Sequence, residues 1–96
     1  MVIEDDQQLN DMYFQMLNSL KLVILNANDL ETARDLFSIH RPKIVLSNIR
    51  LCQQKNFAFI KKIKQIDTEL RIIMTAEPTD SELIIQAIEL GIKFFL

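Results

Sequence analysis

Apolar residues in this chain form short continuous runs that alternate with longer stretches in which they recur at helical intervals. A continuous run is typical of a strand buried on both faces, whereas a spacing of three or four residues indicates an amphipathic helix. The runs predict five strands, at Val2-Ile3, Leu22–Leu25, Ile44–Leu46, Leu70–Met74 and Phe94–Leu96. Because strands and helices alternate, we expect a parallel sheet with right-handed crossovers, and hence a doubly wound α/β domain.

Four helices are predicted between these strands. The first carries an apolar stripe that includes Met12 and Met16, which we expect in the core. The second is expected to begin at a cap supplied by Asn28 or Asp29. The fourth is expected to stop at Gly91. The inward faces of the third and fourth helices are predicted to consist of Phe57, Ile60, Ile63, Leu83, Ile84, Ala87 and Ile88.

Composition narrows the class of protein. The chain has 96 residues, which fits a single domain over residues 1–96, and its net charge of -2 gives no global positive field for nucleic acid or anionic lipid. No apolar run is long enough to cross a membrane. The one cysteine, Cys52, cannot form an internal disulfide, which fits a reducing cytoplasm. It could be an exposed thiol, but no nearby residue supplies a clear activating base.

Polar residues follow three of the predicted strands. Glu4, Asp5 and Asp6 follow the first, Ser47-Asn48 the third and Thr75 the fourth. Ligands of doubly wound folds bind beyond these carboxyl ends. Two interpretations stay open for the acidic residues, a divalent cation site or simple helix capping. Thr75 is equally open between contact with a bound anion and a bond to nearby backbone.

Four segments in this order resemble the receiver domain of two-component response regulators, over nearly the whole chain. They are Val2–Asp6, Ile44–Leu51, Ile73–Ala76 and Ala87–Gly91. The resemblance implies a flavodoxin-like five-stranded sheet of order 2-1-3-4-5. It also implies a signalling module of a two-component phosphorelay, with a histidine kinase or an output domain as partner.

The resemblance assigns roles by position. Glu4 and Asp5 stand where the family holds a magnesium ion, and Thr75 stands at the hydroxyl that senses the phosphoryl group. Phe95 stands at the switch aromatic. Asn48 stands at the position of the phosphoacceptor aspartate.

The departures from the family pattern change the expected function. The Asn48 carboxamide is neutral and its nitrogen lone pair is delocalised, so it cannot replace the nucleophilic aspartate. We therefore expect a domain that is not phosphorylated, is not an enzyme and acts through protein–protein interaction, with magnesium bound weakly or not at all. Cys52 replaces the family's usual proline. Asn56 replaces its usual glycine, where asparagine tolerates positive φ.

Several alternatives stay open. The chain stops at Leu96, before the family's lysine and last helix, so we expect an open sheet face covered by a partner, by a homodimer or by the rest of a longer protein. A neighbour such as Asp5 or Ser47 could accept the phosphoryl group instead. A small nucleotide-binding α/β protein is a further alternative, against which the single glycine argues. The cluster Lys61, Lys62 and Lys64 is expected to be a solvated face rather than a nucleic-acid site.

Overall fold

The computed structural model describes residues 1–96 and has one five-stranded sheet, all of whose strand pairs are parallel. The strand order is 2-1-3-4-5, which confirms the flavodoxin-like prediction. The strands are β1 (Val2–Ile3), β2 (Asn26–Ala27), β3 (Ile44–Asn48), β4 (Arg71–Thr75) and β5 (Phe94–Phe95). The longest pairing joins β3 to β4 over five residues, from Ile44 opposite Arg71 to Asn48 opposite Thr75.

Helices connect every pair of consecutive strands. They are α1 (Gln7–Asn18), α2 (Leu30–His40), α3 (Ile49–Cys52), α4 (Gln54–Ile66) and α5 (Ser81–Glu89), with a 3-10 turn at Pro78–Asp80. Asp29 caps α2, its carboxylate accepting from the backbone N–H of Thr32 at 2.7 Å, as one of the two predicted caps. Gly91 follows α5 with φ +92°, the conformation expected of a glycine stop.

The start of α4 contains a left-handed turn. Lys55, Asn56 and Phe57 have φ values of 52°, 56° and 59°. Asn56 thus adopts the positive φ predicted for the residue that replaces glycine. Phe57 adopts it as well, although its side chain is bulky, because the side chain is 1% exposed and is held in the core.

The hydrophobic core lies on one face of the sheet. Alternate strand residues such as Ile3, Val45 and Met74 meet buried side chains of α2 and α4 there. Val2 and Leu46 alternate with these residues and are buried outside that cluster, so they lie on the opposite face. The predicted inward residues of α4, which are Phe57, Ile60 and Ile63, are all buried.

The structure corrects three predictions, one of which is the inward position of Ile88, since this side chain is 55% exposed. The second strand is not Leu22–Leu25 but Asn26–Ala27, because β1 pairs with β2 only through Val2 opposite Asn26 and Ile3 opposite Ala27. Val23, inside the predicted strand, is 97% exposed. Met12 and Met16 are not core residues, since they are 45% and 60% exposed. Instead α1 turns Asn10 toward the sheet, where it is buried.

The predicted open sheet face is present. Leu46, Ile73 and Phe94 are register neighbours on β3, β4 and β5, and their side chains share one face. Phe94 is 56% exposed and Ile44, on the same face of β3, is 50% exposed. None of the helices within residues 1–96 packs over these two side chains. The occupant of this face, including a second copy of the chain, stays a prediction.

Candidate functional site

The carboxyl ends of β1, β3 and β4 bring three of the predicted site residues together. Glu4, Asn48 and Thr75 line one cavity of about 250 Å³. Asp5 is exposed and is not among the lining residues. Phe95 also lies outside this lining and packs, half-buried, against the hydrophobic core. The structure therefore brings three of the five assigned positions to one cavity, and the other two lie outside its lining.

Asn48 and Glu4 are directly bonded across the site. The Asn48 amide nitrogen donates to the Glu4 carboxylate, at 3.1 Å from Oε1 and 3.3 Å from Oε2. The backbone N–H of Asp6 donates to the same carboxylate at 3.1 Å. Glu4 is 1% exposed, so these donors replace the water that its charge would otherwise require.

The other end of the Asn48 side chain caps α3. Its Oδ1 accepts from the backbone N–H groups of Arg50 at 2.8 Å and Leu51 at 3.2 Å. Only an oxygen can accept from these two donors, and only the amide nitrogen can donate to Glu4. The orientation of the carboxamide is therefore fixed by both neighbours at once.

Burial raises the pKa of Glu4 above its ordinary value. The bonds from the Asp6 backbone and the Asn48 amide act in the opposite direction, because they stabilise the charged form. Asp5 adds to the rise through its own negative charge. The amide of Asn48 thus supplies part of what a cation would supply to this carboxylate.

The oxygen atoms near the expected magnesium site are largely engaged in hydrogen bonds within the chain. Mg²⁺ takes charged oxygen ligands in near-octahedral geometry. Here the Asn48 oxygen is engaged by backbone donors, and its nitrogen faces Glu4. No group of three histidine, cysteine, aspartate or glutamate side chains is arranged to hold a metal ion. Weak binding of magnesium at Glu4 and Asp5 stays a prediction.

A cluster of hydrogen bonds around Arg50 covers one side of the cavity. This cluster was not predicted from the sequence. Arg50 Nε donates to Asp80 Oδ1 at 2.8 Å, and its Nη2 donates to Glu77 and to Thr79, both at 3.2 Å. Asp80 in turn accepts from the Glu77 backbone N–H at 2.8 Å. These bonds hold the loop after β3 to the loop after β4. A charged residue two positions after Asn48 and acidic residues just after β4 were the available signals in the sequence.

This cluster shifts the ionisation of its members. The Glu77 backbone bond and the Arg50 guanidinium hold the pKa of Asp80 below its usual value. Asp80 correspondingly raises the pKa of Arg50. The pair is therefore charged at neutral pH, and it ties two loops that border the same cavity.

The remaining residues of the predicted site are buried. Ser47 is fully buried and its hydroxyl donates to the sulfur of Met74 at 3.5 Å. Thr75 is 9% exposed at the wall of the cavity. Cys52 is fully buried, so the exposed-thiol alternative is wrong. Burial raises the pKa of its thiol to about 11, which makes it an inert core residue.

Comparison with known proteins adds a family to this geometry. A model of the response regulator receiver domain matches residues 1–96. Chemotaxis protein CheY of Bacillus subtilis is 31% identical over 74 residues, which span 77% of this chain and 62% of that protein. The receiver domain of NtrX from Brucella abortus matches with a TM-score of 0.85 at 23% identity, covering 99% of this chain and 81% of that chain.

A response regulator receiver domain protein from Clostridium thermocellum matches with a TM-score of 0.86 at 18% identity, covering 99% of this chain and 77% of that chain. Structural likeness at this identity shows the fold alone, and the family model supplies the assignment. None of the helices is long and apolar enough to cross a membrane. Since the family model spans the chain and the strand order agrees with the fold, the chain belongs to the response regulator receiver domain family of two-component signalling.

Proposed function

We propose that this receiver domain does not accept a phosphoryl group and acts in two-component signalling through protein–protein interaction. The observation that carries the proposal is the engagement of Asn48 at both ends, by Glu4 through its nitrogen and by the start of α3 through its oxygen. Both groups are used in holding the site together, and neither is a nucleophile.

The chemistry of the carboxamide supports this proposal. Transfer of a phosphoryl group needs a nucleophile at the carboxyl end of β3 and positive charge to stabilise the group in flight. The amide has no charged oxygen, and its oxygen faces backbone donors. Arg50 is the cation beside the cavity, but it is paired with Asp80 and Glu77.

The bonding at the site also supports a constitutive conformation. The Asn48 to Glu4 bonds join β3 to β1, and the Arg50 cluster joins the loops after β3 and β4. Neither connection needs a metal ion or a phosphoryl group. The equilibrium between signalling states would then be set by the sequence and by a bound partner, such as a histidine kinase or an output domain.

Phosphorylation of a neighbour has less support. Ser47 is fully buried beneath the sheet surface, where its hydroxyl is out of contact with solvent. Asp5 is exposed but lies outside the cavity that holds Glu4 and Asn48. Neither residue therefore combines access to a phosphodonor with the surroundings that stabilise a transferred group.

Intact mass after incubation with acetyl phosphate and Mg²⁺ tests the proposal. Wild-type protein is expected to keep its mass, and Asn48→Asp, which restores a carboxylate, serves as the positive control. Asn48→Ala, which removes the amide without adding a nucleophile, is the matched negative control. A phosphoryl group mapped to Asn48, Asp5 or Ser47 in wild-type protein would refute the proposal, and the mapped position would identify the acceptor.

A further inference from the structure

The helix α5 is attached to the rest of the domain by few fully buried side chains. Ala87 is the one buried residue of α5, whereas α4 has four. Leu83 and Ile84 are half-buried against the core, and Ile85 is 57% exposed. Burial of an apolar face is the main force that fixes a helix on a sheet. Polar contacts at the two ends of α5 therefore have a larger share in setting its position than such contacts have for α4.

The carboxyl end of α5 is held by Lys64, which lies in the last turn of α4. The ammonium of Lys64 donates to the carbonyl of Leu90, the residue that follows α5. A Cβ atom at position 91 would come within 2.7 Å of this nitrogen, so Gly91 leaves the space that the ammonium occupies. None of these residues lines the cavity that holds Asn48, so this end of α5 is fixed independently of that cavity.

The amino end of α5 is held by Arg50, which extends from α3. Its Nε donates to Oδ1 of Asp80, the residue immediately before α5, at 2.8 Å. Oδ2 of the same carboxylate accepts from the Glu77 backbone N–H at 2.8 Å. Each carboxylate oxygen therefore has its own donor, and the two donors come from different loops.

This contact is stronger than an ordinary surface ion pair. Exposed ion pairs contribute little, because water screens them and two mobile side chains must be ordered. The Arg50 side chain is 54% exposed, but the Asp80 side chain is only 7% exposed. Arg50 Nη2 also donates to Glu77 and to Thr79, both at 3.2 Å, so one guanidinium holds the whole turn before α5.

The backbone of Arg50 is itself fixed by Asn48. The Asn48 Oδ1 accepts from the Arg50 backbone N–H at 2.8 Å, and the Asn48 amide nitrogen donates to Glu4. A continuous series of contacts therefore runs from Glu4 at the end of β1, through Asn48 and Arg50, to Asp80 at the start of α5. Every member of the series belongs to this chain.

We propose that Arg50 is a positioning residue, which fixes α5 in one orientation relative to the carboxyl end of β3. The inference rests on the proposed function and deepens it, because it names the residue that sets the constitutive conformation. Removal of the guanidinium frees the amino end of α5 and leaves its carboxyl end attached to Lys64. The helix should then turn about that attached end while the sheet stays as it is.

Residual dipolar couplings measured by NMR test this, because they report the orientation of each N–H bond in the folded molecule. The test variant is Arg50→Met, and Arg50→Lys keeps the positive charge. Arg34→Met removes an exposed arginine that has no salt bridge and is the matched control. Asp80→Asn breaks the contact from its other side, because asparagine has one acceptor oxygen and cannot bond to both Arg50 and the Glu77 backbone.

In wild-type protein and in Arg34→Met, we expect the couplings of α5 and of the sheet to fit one common alignment. In Arg50→Met and in Asp80→Asn the couplings of α5 should shrink or fit a second orientation, whereas those of α2, β3 and β4 should keep the common fit. Arg50→Lys should return α5 toward that fit. The double variant Arg50→Met with Asp80→Asn should depart no further than either single variant, since both remove the same contact.

A common fit of α5 and the sheet in both Arg50→Met and Asp80→Asn would overturn the inference. An equal departure of α2 would also overturn it, because the whole domain would then be loosened. A mere loss of stability leaves the couplings of the folded molecule unchanged, so it cannot be mistaken for the expected result. Intact mass with acetyl phosphate depends on Asn48 and not on the orientation of α5, so the two proposals fail separately.

Discussion

Asn48→Asp replaces the amide that donates to a buried glutamate with a second carboxylate. The new side chain can still cap α3, because its oxygen can accept from Arg50 and Leu51 as the amide oxygen does. The contact with Glu4 changes from attractive to repulsive, because a carboxylate oxygen replaces the amide nitrogen that lies 3.1 Å from Glu4 Oε1 in the wild type. The variant therefore isolates one interaction of the site.

The size of the effect can be worked from this contact. Two carboxylates about 4 Å apart repel by about 4 kcal/mol at an effective dielectric of 20. Loss of hydrogen bonds to a charged group costs about 1.5 to 3 kcal/mol more. The sum is limited, because taking up a proton at pH 7 on a carboxyl with an ordinary pKa near 4 costs only about 4 kcal/mol. We therefore expect Asn48→Asp to lower the free energy of unfolding by about 2 to 4 kcal/mol without metal, from a total of about 5 to 15 kcal/mol.

Urea unfolding followed by circular dichroism measures this, since the chain has no tryptophan for fluorescence. The unfolding midpoint of Asn48→Asp should fall in EDTA at neutral pH and should recover with Mg²⁺, which neutralises the paired carboxylates. The loss of stability in Asn48→Asp should also shrink as the pH falls toward 4. The carboxyl pair has a raised pKa in the folded state, so it destabilises the fold only above the pKa that these carboxyl groups have in the unfolded chain.

The control reverses the donor and the acceptor. Glu4→Gln combined with Asn48→Asp again places one amide against one carboxylate. It should regain most of the stability in EDTA and should respond little to Mg²⁺. If Asn48→Asp is as stable as wild type in EDTA at neutral pH, the Asn48 to Glu4 contact does not hold the site as described.

Three further predictions follow from single contacts. Cys52 is buried, and with a pKa of about 11 it is about one-thousandth thiolate at pH 8. The rate at which its thiol reacts with a disulfide reagent should therefore follow the fraction of protein unfolded by urea. Prompt labelling of the native protein would contradict this. Arg50→Met should lose less stability than wild type between pH 5 and pH 2, because Arg50 lowers the pKa of Asp80 in the folded state. A carboxyl with a lowered pKa stabilises the fold above the pKa that it has in the unfolded chain, and this stability is lost as the pH falls. Arg34→Met, at an exposed arginine without a salt bridge, should lose as much stability as wild type over the same range. Gly91→Ala should cost about 1 to 2 kcal/mol and lower Tm, and an unchanged Tm would show that φ +92° and the contact with Lys64 impose no strain.

Two of the strands that the sequence identified correctly, β3 and β4, share one physical property. The predicted ranges Ile44–Leu46 and Leu70–Met74 overlap β3 and β4, which each lie between two neighbours in the sheet. Burial on both faces requires a continuous apolar run, and such a run is visible without any knowledge of the partner strands. The same holds for the face of α4, whose buried side chains recur at helical spacing.

The edge of the sheet shows why the remainder could not be predicted. Leu22–Leu25 is as apolar as a central strand, yet the pairing starts where Val2 donates to the Leu25 carbonyl and continues through Asn26 and Ala27. Register depends on the partner strand, and the apolar pattern of one segment does not contain it. In the same way, the stripe on α1 indicated a helix but not its rotation, which is set by Asn10 bonding to the Glu4 carbonyl at 3.0 Å.

The sequence by itself determined the fold, the family resemblance and the absence of an acidic nucleophile at Asn48, because these depend on local pattern and on the identity of one side chain. Only the tertiary structure decided what Asn48 does instead. Its bond to Glu4 spans 44 positions, and the Arg50 to Asp80 bond spans 30. Contacts of this kind arise when parallel strands place distant segments at the same end of a sheet, and spacing along the chain does not encode them.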